Sequence, residues 1–190
     1  MPADDPTDAE LAARALAGDQ AGYAGLMARH REPVYRLARA HAGDNDAMDI
    51  VQTSFIAAFG ALPRYDRARP FRPWLLRIAL HKCRDRARRN AVRSFFLRAR
   101  PVEEAFDMAD PSPTIDREAE DRQALALAMA TLSGLPASLR EPLILCAIEG
   151  MTQEEAAALL GLSVKAVEMR LYRARAAMKK KLGGFGGSGA

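Results

Sequence analysis

The sequence predicts an all-α protein, and three observations carry that expectation. Alanine occurs 38 times against 17 β-branched residues (Val, Ile and Thr together), a balance that favours helices over sheets. Boxes of the form Ser/Thr-x-x-Glu, which satisfy the unpaired amides of a helix start, occur at Thr7/Glu10, Ser138/Glu141 and Thr152/Glu155. Apolar residues recur at steps of three and four along the segments that follow. With 190 residues, 49% of them hydrophobic, the chain can build one domain or two small ones, and disorder throughout is excluded.

The first helices begin at the Thr7 box and carry Leu11, Leu16, Tyr23, Leu26, Met27, Val34 and Leu37 toward a core. Asp44 or Asp46 can cap the next helix, whose buried face is Val51, Phe55, Phe59 and Leu62. Asp49, Gln52, Thr53 and Ile56 then fall on its other faces, and an apolar Ile56 among polar neighbours marks a candidate partner surface. After Pro63 comes a loop, RYDRARPFRP, rich in arginine and carrying Tyr65. Pro73 suits the first turn of the helix that follows. Phe71, Trp74, Leu75, Ile78, Ala79 and Cys83 form its apolar face, while Arg77, His81, Arg84 and Arg88 form a second face suited to phosphate. Trp74 falls on the core stripe; Tyr65 stands open between a core residue and a platform on which an unstacked base could lie.

Charge is unevenly distributed. The formal net charge is +4, yet residues 64–100 hold 13 basic and 2 acidic residues, residues 101–121 hold 1 and 8, and residues 163–182 hold 7 and 1. Two basic blocks divided by an acidic stretch suggest two surfaces for a polyanion. The acidic stretch contains Pro101, Pro111 and Pro113 and no sustained apolar period, so it reads as a linker. The expected organisation is a first helical domain over 1–97, a flexible linker over 98–116, a second helical domain over 117–182 and a Gly-rich tail over 183–190.

The second domain reads as a helix-turn-helix. Leu143, Leu145, Cys146 and Ile148 supply apolar surface before Gly150; the Thr152 helix stops at Gly161; and Ser163 caps a last helix to about Leu182. Ala157 leaves room for the crossing helix, and Val167, Leu171, Ala174 and Met178 form the buried stripe. Lys165, Glu168, Met169, Arg170, Tyr172 and Arg173 are then placed to meet a major groove, with Arg170 or Arg173 able to address guanine and Glu168 able to accept from cytosine. Arg175 and Lys179 to Lys181 are assigned to phosphate.

These residues resemble a family, the small bacterial sigma factors of the extracytoplasmic-function (ECF) type. DAMDIVQTSFIAAF followed by RPFRPWLLRIALHKCRDRARR is similar to their region 2, and LPASLREPLILCAIEGMTQEEAAALLGLSVKAVEMRLYRARAAMKKKL to their region 4. The resemblance covers most of residues 10–182. It implies that the helix of Asp49, Val51, Gln52 and Phe55 docks on core RNA polymerase, with Asp49 and Gln52 at the surface. Tyr65, Arg67, Arg77, His81, Arg84, Asp85 and Arg88 would serve the melted minus-ten element. Lys165, Glu168, Met169, Arg170, Arg173 and Arg175 would read the upstream, minus-thirty-five element as duplex. An anti-sigma factor is the further partner implied. Met48 and Thr53 stand where many members have acidic residues, and His81 where asparagine is common.

Other classes find little support. The longest uncharged run, Gln123 to Leu139, is 17 residues and contains Ser133, Gly134 and Pro136, too short and broken to cross a bilayer. The start, MPADDPTDAE, is acidic where a secretion signal is basic, so a cytoplasmic location is expected. Cys83 and Cys146 sit in apolar contexts and are expected to be ordinary buried thiols. His30, His41 and His81 are scattered, and no cofactor, metal or catalytic set is expected. The rival reading is a stand-alone helix-turn-helix regulator that binds duplex DNA without opening it.

Overall fold

The computed structural model describes residues 5–98 and 117–183; the acidic stretch over 99–116 and residues 184–190 lie outside the described residues. The first unit is built from α1 (Asp8–Leu16), α2 (Gln20–Ala42), α3 (Asp44–Ala61), a 3-10 turn (Leu62–Arg64) and α4 (Phe71–Arg98). The second holds α5 (Arg117–Ser133), α6 (Ala137–Leu143), a π-helical turn (Ile144–Ile148), α7 (Gln153–Leu160) and α8 (Val164–Gly183). No strand occurs among the described residues.

Capping chemistry sets several of these starts. Thr7 and Thr152 each accept from the amide three residues on, at 3.3 and 3.2 Å, and Glu10 and Glu155 return the bond to the threonine amide. Ser163 accepts from the Ala166 amide at 3.1 Å and starts α8. Gly161, at φ 69°, takes the left-handed conformation that ends α7.

Two expected caps are corrected. Neither Asp44 nor Asp46 caps α3: Gly43, at φ 82°, occupies that position, Asp44 pairs with Arg39 at 2.6 Å, and Asp46 with Arg86 at 2.5 Å. Nor does Ser138 cap α6. Pro136 stands at the cap, the Leu139 and Arg140 amides donate to its carbonyl, and the Glu141 carboxylate is drawn away to Arg84.

In the first unit α2 packs on α1, α3 and α4, burying Leu26, Val34, Leu37, Phe55, Leu62, Phe71, Leu75 and Leu76. Tyr65, Phe71 and Trp74 form an aromatic cluster with ring centroids 4.8–5.3 Å apart. In the second unit Val167, Leu171 and Ala174 of α8 are buried against α6 and α7, while Met178, the fourth residue of the expected stripe, is half-buried. Cys83 is buried, and that burial pushes its thiol up to about 12, leaving it unreactive. Cys146 is only half-buried, which corrects the expectation that both thiols are interior.

α1 is held at its start by Asp8, which accepts from Arg29 at 2.7 Å and from the buried His30 at 2.8 Å. Its far side passes so near α2 that a Cβ on Gly22 would lie 2.5 Å from the Ala15 nitrogen and 2.6 Å from the Leu11 carbonyl oxygen. Gly22→Ala must therefore push two backbones apart, and a loss of about 1–3 kcal/mol in a thermal or urea melt is expected. An unchanged midpoint would show that α1 does not pack there.

Candidate nucleic-acid and partner-docking interfaces

α3 presents an apolar face to solvent. Its core side uses Ile50, Val51, Ser54 and Phe55, while Ile56 is 65% exposed and Met48 is also exposed. Met27, Arg31, Met48, Asp49 and Gln52 rim a groove of about 420 Å³ whose floor is Val51 and Phe55. Of the four residues assigned to docking, Asp49 and Gln52 thus reach the surface, and Val51 and Phe55 shape it from beneath. Arg86 donates to Asp49 at 3.0 Å and ties α3 to α4.

The residues expected to meet a melted strand divide into four groups. Arg67 and His81 are exposed. Asp85 and the exposed Arg88 pair with each other along α4, and that hydrogen bond, outweighing burial, lowers the Asp85 carboxyl below the usual range. Tyr65 is corrected: it is 7% exposed, its ring packs against Phe71 and Trp74, and its hydroxyl donates to the Arg69 carbonyl, so it is no open stacking platform.

Arg77 and Arg84, two turns apart on α4, are engaged by the second unit. Arg77 donates to the Ala158 carbonyl at 2.9 Å, and Arg84 makes a forked pair with Glu141 at 2.8 and 2.6 Å. A second junction lies at Glu149, whose side chain is wholly buried. Arg36 donates to it at 3.2 and 3.1 Å, and Arg72 at 2.7 Å while also reaching the Glu149 carbonyl at 2.8 Å. The π turn contributes here: the Glu149 amide donates five residues back to the Ile144 carbonyl at 3.0 Å. Glu141, Glu149 and Arg36 were missed by the sequence reading as partners. The signal that could have found the carboxylates is their position at either end of PLILCAI, an uncharged apolar run where a solvated glutamate is out of place.

The turn of the helix-turn-helix forms at the expected residues. The Leu162 amide donates to the Ala157 carbonyl at 2.9 Å, closing the turn between α7 and α8. Lys165, Glu168, Met169, Arg173 and Arg175 are exposed, Tyr172 is 71% exposed, and Arg170 is half-buried. Lys165 donates to Glu168 at 2.9 Å, so the carboxylate that could accept from a base is already oriented by a cation.

Family comparison decides between the readings. Residues 26–93 match sigma-70 region 2, and residues 125–178 match sigma-70 region 4. The RNA polymerase sigma factor CnrH of Cupriavidus metallidurans is 43% identical over 183 residues, an overlap of 93% of this chain and 96% of that protein. The chain belongs to the ECF sigma factors. NccH of Alcaligenes xylosoxydans, another RNA polymerase sigma factor, is 42% identical, with 91% of this chain and 93% of the relative covered. Among solved structures, CnrH in complex with the cytosolic domain of CnrY superposes with a TM-score of 0.69 at 40% identity, covering 93% of this sigma factor and 97% of that chain. RpoE in complex with the anti-sigma factor NepR, from Bartonella quintana, has the same fold, with a TM-score of 0.64 at 19% identity over 83% of this chain and 94% of that one.

No described helix of this sigma factor is long and apolar enough to cross a membrane. Among its described residues no group of His, Cys, Asp and Glu could hold a metal ion.

The Glu141 carboxylate illustrates the electrostatics at the junction. Burial alone would raise its pKa, but the forked hydrogen bonds and the charge of Arg84 outweigh burial and bring it to about 2. His41 is buried beside it, its Nε2 3.6 Å from the carboxylate. A carboxyl held lower in the folded than in the unfolded protein stabilises fully above its ordinary value of 4.5, and the contribution disappears as pH falls through about 2. The stability difference between wild type and Glu141→Gln, followed by urea melts, is expected to be largest above pH 4.5 and to shrink toward pH 2. A difference constant across that window would exclude a charged Glu141 from the junction.

Proposed function

We propose that this sigma factor binds core RNA polymerase through the α3 groove, reads the upstream promoter element as duplex with α8, and takes the melted minus-ten strand along α4. The observation that carries the reading is one chain with a helix-turn-helix whose second helix exposes basic residues and, on a separate unit, an exposed apolar groove beside a cationic helix. Arg173 and Met169 stand on the exposed face of α8 within its first three turns, which is where base edges are met. Arg67 in the loop before α4, with His81 and Arg88 on α4, are the exposed contacts for phosphate and unstacked bases, joined by Arg77 and Arg84 once these leave the second unit. The domain limits follow the same division, with the acidic linker running between the two binding units.

The chain acts as an initiation factor and leaves the chemistry to the polymerase, which sets its place of work in the cytoplasm. Control by an anti-sigma factor fits the same surfaces. A partner that covers the groove of Met27, Met48 and Gln52 denies the polymerase its docking site.

Purified chain is expected to co-migrate with core RNA polymerase and to direct initiation from a subset of a random promoter library. A stand-alone regulator would bind duplex DNA and do neither. Arg173→Ala is expected to weaken binding to the selected upstream element by about 1–3 kcal/mol in fluorescence anisotropy and to relax sequence preference at one position. An unaltered preference would remove Arg173 from base reading.

A further inference from the structure

We propose that the cavity bounded by the end of α2, the second half of α4 and the turn from α5 to α6 binds a phosphate group, with Arg140 as its principal cation. The cavity measures about 290 Å³ and is lined by His41, Gly43, Arg86, Asn90, Ser133 and Arg140, so both units contribute to it. That volume lies at the lower edge of ligand pockets and suits a small oxyanion or the terminal phosphates of a nucleotide. The Lys181 ammonium stands at the same end of α5, 3.6 Å from where a Cβ on Gly134 would lie.

Arg140 differs from the other sheltered arginines. Arg29 holds Asp8, Arg36 and Arg72 hold Glu149, Arg84 holds Glu141, and Arg86 holds Asp46. Among the described residues no carboxylate pairs with Arg140: its Nη1 donates to the Ser133 carbonyl at 2.6 Å, its Nη2 lies 3.5 Å from His41 Nδ1, and its buried Nε has no hydrogen bond. Glu141, next in sequence, is turned to Arg84. Hydrogen bonds to carboxylates push the guanidiniums of Arg29, Arg84 and Arg86 up, whereas burial pushes that of Arg140 down. The Nε–Nη2 edge with which Arg84 grips Glu141 therefore carries only the long His41 contact on Arg140. A forked edge of this kind matches two oxygens of a phosphate, and a phosphate that takes it displaces that contact and supplies the missing counter-charge. His41 Nε2 and Arg86 Nε, also buried without a hydrogen bond, belong to residues lining the same cavity.

The test titrates the full-length chain with inorganic phosphate, and in a second arm with adenosine 5′-diphosphate, by calorimetry at constant ionic strength set with chloride. Wild type is compared with Arg140→Gln and with Arg14→Gln, which removes the same charge from an exposed pair with Asp19 outside the cavity. One ligand per chain is expected, with a Kd on the order of 1 mM or below, weakened roughly tenfold or more by Arg140→Gln and changed less than about twofold by Arg14→Gln. Binding of inorganic phosphate assigns the site to the free ion; binding of the nucleotide alone assigns it to a nucleotide's terminal phosphates. Absence of binding in both arms, or equal weakening by the two substitutions, overturns the proposal. If circular dichroism shows Arg140→Gln unfolded, Ser133→Asp is read instead: it sets a carboxylate at an exposed position on the cavity wall and is expected to abolish binding, and binding retained in that variant overturns the proposal. The sigma-factor reading stands or falls separately, since initiation with core polymerase is measured without this ligand.

Discussion

Two buried carboxylates decide how the halves of this sigma factor meet. Glu149 has no side-chain exposure and Glu141 is 6% exposed, and neither position is tolerable for a charge without guanidinium partners. Such pairs do not recommend themselves as stabilisers, because desolvation offsets much of the attraction, and an apolar replacement of the same shape often does as well. What they supply is direction. A hydrophobic junction can slide, whereas a forked pair at Arg84 and a three-bond clasp at Arg72 and Arg36 are satisfied in one relative placement. The apolar core continues across the same seam, with buried residues of both units in one connected cluster, so the ion pairs orient a contact whose affinity comes partly from burial.

That arrangement changes what the charge distribution means. The basic block over 64–100 counts 13 cations against 2 anions, but many of these cations are already committed. Arg72, Arg77 and Arg84 reach into the second unit, Arg86 is shared between Asp46 and Asp49, and Arg88 holds Asp85. Arg86 does a different task from its neighbours: it ties α4 to α3 through Asp46 and through Asp49, which rims the groove. A sequence-level sum measures the far field that steers a polyanion, not the number of guanidiniums it finds unoccupied on arrival.

The fold was legible wherever its cause was local. Thr7, Thr152, Ser163 and Gly161 act on amides or carbonyls within a few residues, so their spacing alone specifies the helix starts and the turn. The stripe of Val167, Leu171 and Ala174 was legible for the same reason. Asp46, Ser138 and Glu141 misled because a distant arginine outcompetes a local cap: Arg86 lies 40 residues from Asp46, and Arg84 lies 57 from Glu141. Tyr65 was ambiguous because its fate depends on a loop that folds back far enough for the Arg69 carbonyl to reach its hydroxyl. The pairing of Arg36 with Glu149 spans 113 residues and leaves no local trace beyond a glutamate at the end of an apolar run.

The two faces assigned to nucleic acid stand in different states. On α8, Tyr172, Arg173 and Arg175 already face solvent, and duplex reading asks no rearrangement of them. On α4, two of the arginines assigned to the strand are bound to α6 and α7, the latter being the first helix of the same helix-turn-helix. Under the proposed reading, duplex contact by α8 leaves the junction as it stands, whereas strand contacts at Arg77 and Arg84 compete with the Ala158 carbonyl and Glu141 that hold them.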